Sequence, residues 1–406
     1  MRTYKDLFRA REYTPLFAAV CAQGAGTTVS GLALGVLVYS STRSPLLASL
    51  SMFGSAFAQL FGAVFLMSAA DRLPPRATMT GLGLLFAACT VVLAVPGLPL
   101  WAVFVIILGV GVASSVGGGV RFGLLTEILP AEGYLLGRSV LSMASGIQQV
   151  AGFALGGVLV AAASPRGALL VAAALYLAAG LISRYGLSPR PPRASGRPSV
   201  RETWRTNAEL WSSRARRRIY LLLWVPNGLI VGCESLFVPY APAHAGLLFA
   251  LAALGMLAGD TVVGRFVPPA LRPRLGPALR LLLAVPYLAF APAPPLPVAA
   301  VLVTVASVGY SASLLLQDRL VALTPQEMSG QALGLQWSGI LTMQGVGAAI
   351  AGAVAQFTSP ATAMTVMAAA SVAVTLALAP DLRRDPDDCS AAQAGTARPA
   401  RTGTGT

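Results

Sequence analysis

Charge is what this sequence has least of. Charged residues fill 11% of the 406 positions and apolar residues 55%, against about 25% and about 45–50% in a soluble domain. A water-exposed fold could not cover its surface with so few charges. Lysine occurs once, at Lys5, and histidine once, at His244. A single lysine outside any glycine-rich turn excludes a P-loop, and with it an ATPase of that kind. A single histidine excludes an HExxH protease and a His-rich metal centre. A Ser-His-Asp triad could use only His244, which sits between Pro242 and Gly246 and reads as a loop residue. Cys21, Cys89, Cys233 and Cys389 form no CxxC pair and read as reduced packing residues. No metal and no cofactor is expected.

What is present is apolar sequence in long runs. Mean hydropathy is +0.71, and a spanning helix needs about 20 mainly apolar residues. Twelve runs can be placed, at 14–39, 45–70, 77–96, 100–128, 136–163, 167–184, 217–240, 244–266, 275–292, 296–322, 328–356 and 360–380. Turn chemistry separates them, notably Ser44-Pro45, Pro74-Pro75, Pro96-Gly97, Ser164-Pro165 and Ser359-Pro360. The first run is too long for the apolar core of a signal peptide. The expected fold class is an all-α polytopic membrane protein with twelve transmembrane helices, spans one to twelve.

The net charge of +14 is almost entirely arginine. Even-numbered gaps hold Arg72 and Arg76, then Arg138, ten arginines from Arg184 to Arg218, the set Arg265, Arg272, Arg274 and Arg280, and finally Arg319; odd-numbered gaps hold only Arg43 and Arg166. This alternation predicts an even helix count with both termini in the cytoplasm. The basic gaps then face inner-leaflet lipid, and no interleaving of basic and aromatic residues suggests nucleic acid. Residues 185–216 form a polar linker. Within it Ser199-Val200-Arg201-Glu202 has capping-box form, and Val200, Trp204, Ala208 and Trp211 follow at helical spacing. That pattern predicts a short amphipathic helix on the inner membrane face. Residues 381–406 read as a disordered tail.

The two halves repeat. Gly137, Gly146 and Gly152 correspond to Gly330, Gly339 and Gly345 at a separation of 193, and Ser164-Pro165 corresponds to Ser359-Pro360 at 195. A six-helix unit in parallel duplication is a transporter signature. It implies two pseudo-symmetric bundles, 1–184 and 217–380, joined by the linker.

Between spans two and three stands Asp71-Arg72-Leu73-Pro74-Pro75-Arg76; span four contains Gly109-Val110-Gly111; span five contains Gly152-Phe153-Ala154-Leu155-Gly156-Gly157. On these segments the chain, over about residues 7–380, resembles a major facilitator superfamily transporter, in particular the twelve-helix macrolide and siderophore type of drug exporter. It departs from the family pattern at Met67, where a Gly is usual, at Val105, where an Arg is usual, and at Phe153, where a Pro is usual. The resemblance implies the major facilitator fold in a bacterial plasma membrane. It implies no enzyme activity, but export of an antibiotic, siderophore or metabolite by alternating access; the absent nucleotide site and the embedded acids point to coupling with protons. Uptake or exchange in the same fold is the alternative. A membrane-embedded enzyme fits less well, because Asp71, Asp260 and Asp318 are scattered rather than clustered. The expected partners are a small-molecule substrate, protons and membrane lipid, with the protein a monomer.

Few residues could carry this function. A charge at the centre of a spanning helix costs roughly 2.5–3.5 kcal/mol on insertion scales, so each is a functional candidate. Glu234 in span seven and Asp260 in span eight are the proton-coupling candidates. A structural hydrogen bond for Glu234, and a salt bridge to Arg265 for Asp260, are the competing readings. Spans one, four, seven and ten line the cavity in the resembled family, so Gln23, Asn227, Glu234 and Tyr310 form the expected lining. That cavity is expected to be apolar with few polar groups, suiting a lipophilic or amphipathic solute. Arg121 with Glu127, Asp318 with Arg319, and the loop residues Asp71, Arg72 and Arg76 are expected to act as gates or helix-end pairs. Gly146, Gly152, Gly156 and Gly157 permit close helix packing.

Overall fold

A computed structural model of the chain describes residues 4–70, 73–191, 200–268, 271–325 and 328–378. Its regular structure is helical throughout. Nine helices among the described residues are long and apolar enough to cross a membrane. Span one is Tyr13–Thr42, two Pro45–Ala70, three Pro75–Ala94 and four Leu100–Ile128. Spans five and six are the two helices of Ala131–Gly186, separated at the non-helical Ser164. Span seven is Arg214–Ser235 continued by Phe237–Tyr240, eight is Ala245–Phe266 and nine is Arg272–Leu288. Span ten joins Leu296–Val308 to Ala312–Ala322 through the 3₁₀ turn Gly309–Ser311, eleven is Ser329–Phe357 and twelve is Pro360–Leu378. The rods follow the apolar runs in order. Asp71 and Arg72 lie outside the described residues.

The Ser-Pro pairs end one rod and start the next by a common device. Proline at the first helical position loses no needed N–H, and the serine hydroxyl accepts one of the orphan donors. Ser44 Oγ accepts from the Leu47 N–H at 3.2 Å, Ser164 Oγ from Gly167 at 3.3 Å and Ser359 Oγ from Thr362 at 3.1 Å. Ser164 does so at φ 81°, a positive φ rare outside glycine, which turns the chain sharply between spans five and six.

Helix pairing repeats from one half to the other. Span one packs on five and six, two on four and three on six; seven packs on eleven and twelve, eight on ten and nine on twelve. Between the halves, span two meets eleven and span five meets eight. Lipid tails provide no hydrophobic force between helices, so contact depends on backbones coming close. A Cβ on Gly228 of span seven would collide with the Met343 carbonyl of span eleven, and one on Gly347 would collide with the Gly228 carbonyl. Contacts between halves run from the middle of the rods to the end away from the arginines. Phe153 stacks on Phe249 at 4.6 Å, Ser235 Oγ donates to Ser49 Oγ at 3.1 Å, and Ser44 Oγ donates to Gln356 Oε1 at 2.8 Å.

At the arginine-rich end, Arg190 just past span six joins three elements. It pairs with Glu12 before span one at 2.6 Å and with Glu127 of span four at 3.3 Å. The Ser188 N–H adds a bond to Glu12 at 3.3 Å. Burial alone would push the Glu12 carboxyl up, but the hydrogen bonds from Arg190 and Ser188 outweigh it and hold it below its ordinary value. Further along the linker, Trp211 of the helix Val200–Ser212 stacks on Tyr220 at 6.1 Å and on Trp224 at 5.4 Å.

Two outcomes test this packing. Gly228→Leu should destabilise the folded protein by about 1–3 kcal/mol or more, as overpacking does, whereas Gly118→Ala, whose Cβ meets open space, should be neutral or stabilise by up to about 1 kcal/mol; thermal melting in detergent reads both. A carboxylate held low contributes stability that is present above its ordinary value and lost as pH falls through the lowered one. The protection factor of the Ser188 amide, with its intrinsic pH dependence divided out, should therefore be high near neutral pH and fall several-fold once pH drops below the ordinary carboxylate range, about 4.3, and Glu12→Gln should be weakly protected at both.

Candidate functional site

In the first six spans a polar pocket of about 150 Å³ is lined by Val20, Gln23, Gly24, Thr27, Arg121, Ser145 and Gln148. Spans one, four and five each supply part of it. Gly24 leaves room there for the Gln148 amide, which a Cβ would displace. Thr27 and Thr28 bond back to the carbonyls of Gln23 and Gly24 at 3.0 Å. The Tyr176 hydroxyl of span six donates to Thr27 Oγ1 at 3.1 Å and lies 3.2 Å from Ser30 Oγ, while its ring meets Phe86 edge-on at 5.5 Å. Thr27 is thus fixed from behind. A guanidinium, two carboxamides and hydroxyls converge, a set rich in donors and suited to an acidic or strongly polar group. The expectation of a mainly apolar lining does not describe this pocket.

The second half gathers its polar groups differently. Glu234 stands in the last turn of Arg214–Ser235, just before the helix breaks at Leu236. Its Oε1 accepts a hydrogen bond from the Tyr310 hydroxyl at 3.1 Å, and Tyr310 stands in the 3₁₀ turn that interrupts span ten. Both residues are buried, at 7% and 6% exposure. Interruptions of this kind in spanning helices mark hinges and ligand sites. The Tyr287 hydroxyl of span nine has no hydrogen-bond partner among the described residues and lies in the same cluster, as does the Cys233 thiol, which reaches the Met364 carbonyl at 3.4 Å. Asn227 is buried deeper in the same helix and accepts from Gln344 Nε2 of span eleven at 3.3 Å.

Arg280 needs a correction. Counted as a gap arginine, it lies inside span nine and is fully buried. Nη2 donates to Ser313 Oγ at 3.4 Å, while Nε and Nη1 have no partner among the described residues. The signal was present in the run Ala278-Leu279-Arg280-Leu281-Leu282-Leu283, a cation with apolar neighbours on both sides, but charge counting absorbed it into the basic gap.

The remaining candidates are spread over the fold. Of the expected lining, Gln23 belongs to the first pocket, while Asn227, Glu234 and Tyr310 cluster in the second half. Asp260 is half-buried in span eight, and among the described residues neither Arg265 nor any other cation pairs with it. Arg121 lines the polar pocket and Glu127 pairs with Arg190. Asp318 and Arg319 lie near the arginine-rich end of span ten. Arg76 Nη1 reaches the Leu187 carbonyl at 3.5 Å. The span-five glycines divide between two neighbours: Gly152 and Gly156 face span one at Thr28 and Val29, while Gly146 and Gly157 face span eight at Leu257 and Gly246.

Comparison with known proteins agrees with this architecture. The chain is similar in fold to a POT family transporter in complex with 5-aminolevulinic acid, with a TM-score of 0.71 at 11% identity over 92% of this chain and 97% of that one. It is similar to a bacterial homologue of the human lysosomal transporter Spinster, in an inward-facing and unoccupied conformation, with a TM-score of 0.71 at 14% identity over 92% and 96%. It is also similar to the nucleoside transporter NupG, with a TM-score of 0.72 at 13% identity over 91% and 99%. These likenesses show the fold. No curated protein matches the sequence closely. The sequence model of the Major Facilitator Superfamily matches residues 16–336, well over half of a chain that crosses the membrane many times, and the protein belongs to that superfamily.

Proposed function

We propose that this protein is a proton-coupled exporter of a small amphipathic organic compound, in which residues 1–184 and 217–380 rock about the polar pocket and both termini stay in the cytoplasm. The observation that carries the coupling is Glu234, a buried carboxyl bonded to the Tyr310 hydroxyl where two helices are interrupted. An ionised carboxylate there faces the negative end of its own helix dipole and has one hydroxyl to satisfy it. Proton uptake removes that cost, so protonation and ionisation favour different packings of spans seven and ten. Asp260 is the second coupling candidate; its half-buried position and greater distance from a helix interruption make it the weaker one. The gating role expected of Arg76, Asp318 and Arg319 belongs to the same proposal, as does the close helix packing assigned to Gly146, Gly152, Gly156 and Gly157.

The polar pocket refines the substrate. Arg121, Gln23 and Gln148 suit a head group bearing a carboxylate or several acceptors. The surrounding apolar helix faces suit a hydrophobic body. Export, rather than uptake, rests on the resemblance of the span-five glycine segment to antiporters.

Two measurements decide these assignments. In everted vesicles with an imposed proton gradient, Glu234→Gln should reduce driven accumulation at least about tenfold and flatten its pH dependence, while substrate counterflow without a gradient persists; Asp260→Asn should keep coupling. Coupling retained by Glu234→Gln, or accumulation by intact cells instead, would overturn the reading. Arg121→Gln should weaken binding of compounds with an acidic head by about 10- to 100-fold, the worth of a hydrogen bond to a charged group, and leave neutral analogues nearly unchanged in a tryptophan-quenching titration.

A further inference from the structure

A second groove lies away from the polar pocket and shares only Arg76 with the transport reading. It has a volume of about 450 Å³ and lies between the arginine-rich ends of spans three and six. The two helices touch at Gly83 and Gly180, where an added Cβ on Gly83 would come within 2.6 Å of the Gly180 Cα. From that crossing to the arginine-rich end the space between them is open. Its upper wall is apolar: Ala77, Gly81 and Leu84 recur at helical spacing and are exposed. Its mouth is cationic. Arg76, Arg184 and Arg190 all line it. Arg190 is neutralised by Glu12 and Glu127, which among the described residues leaves the charges of Arg76, held at the Leu187 carbonyl through Nη1, and of Arg184 to meet a ligand. The Thr80 hydroxyl, also in the lining, is buried without a hydrogen-bond partner among the described residues. Tyr185, 83% exposed beside Arg184, is the amphipathic ring expected where a helix leaves the bilayer.

We propose that this groove binds one anionic phospholipid, its phosphate held between Arg76 and Arg184 and one acyl chain laid along Ala77, Gly81 and Leu84. Two guanidiniums and an orphan hydroxyl match a phosphodiester, and the apolar wall running away from them matches a chain attached to it. A free phosphate satisfies the mouth but leaves the wall empty. A zwitterionic lipid fills the wall but brings an ammonium against two arginines. The site would tie spans three and six together at the membrane surface.

Native mass spectrometry of the purified full chain, titrated with phosphatidylglycerol, phosphatidylethanolamine or inorganic phosphate, tests this. Phosphatidylglycerol should be retained in preference to phosphatidylethanolamine. Each arginine near a membrane surface contributes roughly fivefold in affinity, so Arg184→Gln should weaken retention about fivefold, Arg76→Gln with Arg184→Gln about 25-fold, and Arg184→Lys little. Arg184 is exposed, so its variants keep the fold. Gly81→Leu fills open space and should reduce lipid retention without altering charge. Equal retention of the two lipids, wild-type retention by Arg184→Gln, or displacement of the lipid by inorganic phosphate with Gly81→Leu silent would each overturn the proposal.

Discussion

Close approach of helix backbones is the constraint on which the rest depends. In a membrane the tails compete on equal terms with any apolar side chain, so rods stay together only where they can touch along their main chains. Glycine provides that in nearly every pairing. Gly111 lies on the Ser55 carbonyl between spans four and two, Gly255 and Gly259 on the carbonyls of Thr304 and Val308 between eight and ten, and Gly309 on Leu283 between ten and nine. Bulk is excluded from these lines, and long side chains are confined to the faces between them. Register is set by backbone shape, which is a reason the same pairing scheme recurs in both halves despite little remaining likeness of side chains.

Within that scheme the two halves have specialised. The first keeps its polar groups on an open pocket, with a cation among amides and with Tyr176 holding Thr27 from the rear. The second encloses its polar groups, with an acid, two phenols, a thiol and a guanidinium distributed over spans seven, nine and ten. An open cationic face and a closed acidic cluster are therefore chemically distinct sites, the first in contact with the pocket and the second enclosed by helices. Discontinuities at Leu236 and Gly309–Ser311 interrupt spans seven and ten close to Glu234 and Tyr310.

The architecture was legible because it rests on long apolar runs and on turn residues whose chemistry is local. Ser44-Pro45, Ser164-Pro165 and Ser359-Pro360 marked rod boundaries in the sequence for the same reason they cap helices in the structure. The site was only partly legible. Glu234 and Tyr310 stood out as polar residues in apolar runs, but their pairing bridges 76 positions and has no local signature. Arg121 looked like a helix-end charge because Glu127 follows it; which face of span four it occupies depends on the packing of spans one and five. Arg280 was hidden by counting cations near a basic gap. The donor-rich pocket was invisible in composition, since a handful of polar residues disappears in an average over twelve apolar helices.

The anchoring of the linker has a further consequence. Arg190 is fastened to the first half through Glu12 and Glu127, while Asn207 accepts from Gln331 and Trp211 stacks on span seven, which fastens Val200–Ser212 to the second half. Between these anchors the chain from Arg190 to Val200 has a contour of at most about 33–36 Å. That length is an upper bound on how far the two anchors can part at that surface, so deleting residues from the connection would lower the bound without touching a single residue of either site.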